Sequence, residues 1–180
     1  MKKLIAMTLM LLPMLARGQK IIKSEIDKFT GQRIVETSQE AIAKRNKWKN
    51  QWQQVLVSVR YTDGEWTMPV FFELEEIEKY DENSQVILLL ANGERIILPS
   101  LYTGIGAEDC PIGLGGVNSH VHGFSTILPL ENKDVELLRQ YEITDVRVSP
   151  LGKNYDFVIG KKEGSTIMTM INLIDNAVTK

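Results

Sequence analysis

The sequence predicts an α+β fold: a largely antiparallel sheet built from successive hairpins, with a short helix and a C-terminal amphipathic helix packed on the sheet. Three observations carry this. Stretches of alternating apolar residues come in pairs. Two of those pairs are joined by Asp63-Gly64 and Asn92-Gly93, dipeptides that accept the positive φ angles of hairpin turns. Helical spacing of apolar residues is confined to the last third of the chain, which separates helices from strands along the sequence.

The first segment lies outside that fold. Lys2 and Lys3 precede an apolar run from Leu4 to Leu15, shorter than the roughly 20 residues that span a bilayer. Ala16-Arg17-Gly18 supplies the small residues of a signal-peptidase cut before Gln19. Residues 1–18 are therefore expected to be a cleaved signal peptide and 19–180 a single α+β domain, periplasmic or secreted. No cysteine stands at the cut, which argues against a lipoprotein, and no other apolar run is long enough for a membrane span. Cleavage removes Lys2, Lys3 and Arg17 and no acid. Lys and Arg fall from 21 to 18 against 23 acidic residues, a net charge of −5. That balance speaks against nucleic acid as a partner, because phosphate neutralisation needs basic side chains. One cysteine cannot form an internal disulfide, so the fold rests on its apolar core.

The elements follow in order. Two short extended runs flank Thr30-Gly31 in IIKSEIDKFTGQRIVET. Val55, Val57, Val59 and Tyr61 alternate on one face, and after Asp63-Gly64 the return strand alternates through Trp66, Met68, Val70, Phe72 and Leu74. Val86 to Leu90 is apolar on both faces and is expected to lie centrally, covered on both sides. ITDVRVSPLGKNYDFVIG forms a further hairpin turning near Leu151 to Asn154. A short helix is expected from about Asn132 to Tyr141, with Asn132 as its cap and Val135, Leu138 and Tyr141 on one face. A second is expected from about Ser165 to Ala177, where Ile167, Met170, Ile171 and Ile174 make a stripe widened by Met168 and Leu173.

The DKFTG hairpin at the start, the short acidic helix, the ITDVRV…YDFVI hairpin and the last amphipathic helix resemble those of small exported proteins of unknown function from Gram-negative bacteria. The resemblance covers most of the mature chain and implies an exported α+β module. Its motifs are fold motifs, and no site residue comes with them.

Chemistry-bearing residues gather in DCPIGLGGVNSHVHGF, which holds the only cysteine, Cys110, and both histidines, His120 and His122. On a strand, residues two apart share a face, so the two imidazoles would stand side by side with Cys110 as a third zinc ligand. The stretch has neither a Cys-x-x-Cys pair nor a His-Glu-x-x-His helix. The simpler reading is a strand with solvated histidines after a long loop. A Cys–His nucleophile pair resembles papain-type cell-wall peptidases, but the sequence departs from that pattern. Gly113, Gly115 and Gly116 follow Cys110 too closely for a catalytic helix, and nothing identifies a residue to orient the imidazole. GIGAEDCPIGLGG lacks the Lys-Ser/Thr ending of a phosphate loop.

Trp48 and Trp52, among Lys44, Arg45, Lys47 and Lys49, are candidates for a glycan platform or a protein contact, against the plainer role of covering a core edge. The acidic run Glu73 to Glu82 lacks the spacing of a calcium loop and reads as a solvated edge. The leading expectation is a non-catalytic exported module that needs no cofactor and binds another envelope or extracellular component, most simply a protein. The alternative is a metal-binding or metal-dependent protein using His120, His122 and Cys110, with zinc as the candidate metal.

Overall fold

The computed structural model describes residues 19–47, 51–74, 79–80, 84–99, 104–105, 122–150 and 153–179, with 44–47, 51–53, 74, 79–80, 104–105 and 122–124 described through the backbone. The first hairpin joins β1 (Ile21–Ile26) to β2 (Arg33–Thr37). Its turn is held by Asp27, whose carboxylate accepts the backbone N–H groups of Phe29 and Thr30, each at 2.8 Å. Such local bonding is why aspartate initiates turns.

β2 leads into β3 (Glu40–Lys47), and the pair runs antiparallel to β4 (Gln51–Val57) followed by β5 (Arg60–Thr62). The result is one long hairpin bent in its middle. The expected alternation holds through the bend, with Val55, Val57 and Val59 buried and Tyr61 packed against the core, and Ser58 between them is buried as well. Thr37 holds the bend together: its backbone N–H donates to the Val59 carbonyl at 3.0 Å, and its hydroxyl accepts the Val59 N–H at 3.0 Å. Ser58 N–H instead donates to the Pro69 carbonyl at 3.0 Å.

Asp63 and Gly64 carry φ angles of +45° and +99°, the two left-handed residues of a tight hairpin turn. They lead into β6 (Glu65–Leu74). One edge of β6 pairs first with β5 and then with β4; the other pairs along its whole length with β11 (His122–Leu130). The seven strands form one antiparallel sheet. Trp66, Met68, Val70 and Phe72 of β6 alternate into the core, as do Thr126, Leu128 and Leu130 of β11. Between β6 and β11, β7 (Lys79–Tyr80) and β10 (Gly104–Ile105) pair briefly through the backbone.

The second sheet has the order β13 (Tyr155–Val158), β12 (Ile143–Ser149), β8 (Gln85–Leu90), β9 (Arg95–Pro99), all antiparallel. The turn at Asn92-Gly93 differs from the two-residue type. Only Gly93 has a positive φ, +86°. Its N–H donates to the Leu90 carbonyl at 2.9 Å, the Leu90 N–H donates to Glu94 at 2.9 Å, and Glu94 N–H donates to the Asn92 side chain at 3.0 Å. Register explains the extra residue. The three-residue loop sets Leu88 opposite Ile96 and Leu89 opposite Arg95, so Ile96 and Leu98 enter the core. A two-residue loop would move the pairing by one and put Arg95 on the core face.

Helix α1 (Asn132–Gln140) begins one residue earlier than a cap at Asn132 requires. Glu131 is the cap, in extended conformation, and its N–H donates to the Asp134 carboxylate at 3.0 Å. The reciprocal exchange of a capping box fixes that start. A single-turn helix α2 (Lys161–Gly164), absent from the sequence expectation, precedes α3 (Thr166–Val178). Ile167, Met170, Ile171 and Ile174 of α3 are buried as their spacing requires. The last carbonyls of α3, at Ala177 and Val178, accept the Arg33 guanidinium at 2.6 and 3.2 Å. Arg139 of α1 forms a bidentate pair with Asp175 of α3 and lies 5.6 Å from the centre of the Trp66 ring.

Both sheets turn their buried faces to one contiguous core. β9 lies beside β11 and β13 beside β3, without ladder hydrogen bonds between them among the described residues.

Candidate functional site

Of the residues singled out in the sequence, Cys110, His120 and Trp48 lie outside the described residues. His122 opens β11 opposite Leu74, and Trp52 lies in β4 opposite Asn46; the description of both is confined to the backbone. Among the described residues no three His, Cys, Asp or Glu side chains gather as a metal site would need. No helix among them is long and apolar enough to cross a membrane.

The acidic run contains one correction. Glu73 is not on a solvated edge: it is 2% exposed. Its carboxylate accepts the Gln54 side-chain amide at 2.9 Å. Burial pushes its pKa up, and the Gln54 hydrogen bond opposes that only in part.

A second correction concerns Val86 to Leu90. Val86, Leu88 and Leu90 enter the core, but Ile87 and Leu89 are half-buried on the outer face of the second sheet. β8 is central in its sheet, yet among the described residues that sheet is covered on one side only at these positions. The register lays out the outer face in two rows. One runs Ile97, Ile87, Arg147, Asp156; the other runs Arg95, Leu89, Asp145, Val158. Ile97 is 59% exposed and Val158 is 79% exposed. Neighbouring side chains enclose a shallow groove of about 350 Å³, lined by Ile87, Leu89, Arg95, Asp145, Arg147 and Asp156.

The solvent side of an antiparallel sheet ordinarily alternates to polar residues. Here Ile97, Ile87 and Leu89 form an apolar patch, with charge on its flank. Arg147 and Asp156 are locked to each other through two bonds of 2.6 and 2.8 Å, and the aspartate holds the guanidinium's pKa up. Arg95 and Asp145, on either side of Leu89, carry opposite charge. The arrangement offers an apolar floor with one guanidinium and one carboxylate to orient what lies on it. The sequence signal for this face was in the neighbouring strands. Arg95, Asp145, Arg147 and Asp156 alternate outward beside β8, and charged neighbours cannot share a covered face without partners.

Comparison with protein-family models, curated proteins and solved structures finds no match to this chain.

Proposed function

We propose that the chain is an exported, non-catalytic module that binds a protein partner in the periplasm or outside the cell, through the outer face of the β9–β8–β12–β13 sheet. The observation that carries this reading is the Ile97, Ile87 and Leu89 patch on a sheet face that also carries Val158 and four charged side chains. Exposed apolar side chains of this kind, rimmed by polar ones, mark contact surfaces. The groove is shallow and at the small end of ligand sites, and it suits one or two apolar side chains of a partner. Arg95 and Asp145 would meet an acidic and a basic group beside them, which fixes orientation more than it adds affinity.

Affinity capture from cells producing the full chain tests it, comparing wild type with an Ile97→Glu, Arg95→Glu variant. Both side chains are exposed, so the fold should survive, as an unchanged melting temperature would show. A protein retained by wild type and released by the variant, with purified components reproducing the contact, supports the reading. Capture unaffected by these substitutions would overturn this face as the binding surface.

A further inference from the structure

The first strand carries an independent feature. β1 is an edge strand, with β2 as its one ladder partner among the described residues. Ile22 is 57% exposed and Ile26 is 70% exposed. An open strand edge with exposed isoleucines is a template for another strand, and the sequence of β1 specifies which one. We propose that β1 pairs antiparallel with β1 of a second copy of this chain, about a two-fold axis at Ser24.

Hydrogen-bond phase comes first. The Asp27 N–H donates to the Gln32 carbonyl on the β2 side. Backbone groups of successive residues in a strand point to opposite edges. Glu25 and Lys23 therefore also face β2, while Ile26 and Ser24 direct their N–H and C=O groups to the open edge; before Lys23 a bulge shifts this phase, and the Lys20 carbonyl accepts the Ser38 N–H on the β2 side. An antiparallel partner must meet these outward groups with outward groups of its own.

Charge then selects the register. Centring on Ser24 sets Ser24 against Ser24 of the second copy, with Ile26 of each copy towards the bulged start of the other strand. It also sets Lys23 against Glu25, twice by symmetry. Within one copy Lys23 and Glu25 already pair at 3.1 Å, so the assembled ribbon carries four alternating charges on one face and Ile26 of each copy on the other. The neighbouring registers with the same hydrogen-bond phase set Lys23 on Lys23 or Glu25 on Glu25, and like charges directly opposite are unfavourable. Edge lysines usually discourage strand addition; here the adjacent glutamate makes the edge complementary to itself, as a two-fold interface must be. The chain turns away at Asp27, so the ladder is short and the dimer should be concentration-dependent.

Sedimentation of protein purified from cells producing the full chain should show a monomer–dimer equilibrium. Lys23→Glu should weaken it about tenfold, and adding Glu25→Lys should restore it. In a Cys110→Ser background, Ser24→Cys should form a disulfide-linked dimer on mild oxidation, whereas Glu94→Cys, exposed on the β8–β9 turn, should not. Each variant should keep the parental melting temperature at dilutions where both proteins are monomeric. A protein monomeric across the accessible concentration range, a dimer indifferent to Lys23→Glu, or equal cross-linking at positions 24 and 94 would each overturn the proposal.

Discussion

At Thr37 a buried hydroxyl takes the place of a missing ladder bond. The long hairpin bends there, and without that oxygen the Val59 N–H loses its 3.0 Å acceptor in the core. Thr37→Val keeps the shape and removes the acceptor. It should cost about 1–3 kcal/mol in chemical denaturation, the penalty of an unsatisfied buried donor, while Thr37→Ser should lose far less. Two carboxylates act in opposite directions on the pH dependence of stability. Backbone N–H groups of Thr30 and Phe29 lower the pKa of Asp27 from 3.8, so its contribution is present above that value and is lost as pH falls through the folded one. Burial raises Glu73 from 4.5. The folded state then holds the Glu73 proton to higher pH than the unfolded state does, and stability falls as pH rises from 4.5 through the raised value. Glu73→Gln should therefore be more stable than wild type at pH 7, with that decline abolished. Equal melting temperatures at pH 7 for the two proteins would refute the assignment.

Among elements, α3 has the most to lose from a single truncation. Ile171 is fully buried, and Ile171→Ala should destabilise the protein by about 2–5 kcal/mol in the same assay. Arg33→Ala releases the last two carbonyls of α3 and should let its final turn exchange amide hydrogens faster, with the helix centre unchanged. Much of this level was legible in advance. The positions of α1 and α3 followed from spacing to within a residue, and the Asp63-Gly64 turn from backbone preference. Features set by tertiary context were not. Which carboxylate caps α1 depends on Asp134 reaching back, and the turn at Asn92 depends on keeping Arg95 out of the core. The β8 face is the instructive case. Its apolar alternate residues were evident, but whether a layer covers them is a property of the neighbouring strands. The Cys110, His120, His122 and Trp48, Trp52 readings stand as sequence expectations, because local spacing says nothing of where a long connection returns.

For the whole molecule, the two sheets share one core and interleave along the chain. The first sheet takes β1 to β6 and β11, the second β8, β9, β12 and β13. Neither sheet is complete until the chain has passed through the other. Unfolding should therefore be a single transition, with far-ultraviolet circular dichroism and tryptophan fluorescence coinciding in denaturant; separated midpoints would show that the sheets melt independently. The export reading makes its own prediction at this scale. Protein recovered from its native cells should begin at Gln19 by mass spectrometry, and an intact Met1 terminus in the cytoplasm would refute it.

The pairing of β6 with β11 has a consequence for how the chain is made. Leu74 meets His122 and Trp66 meets Leu130 across the whole β8–β9 hairpin. A chain emerging N-terminus first, from a ribosome or a translocation pore, presents β6 as a bare ten-residue template for as long as synthesis or passage of the next stretch takes. Any other extended segment arriving in that interval competes for the edge. The nascent protein is thus most vulnerable midway through its appearance, and a holding chaperone that recognises extended apolar strands should matter more for its yield than any catalyst of folding.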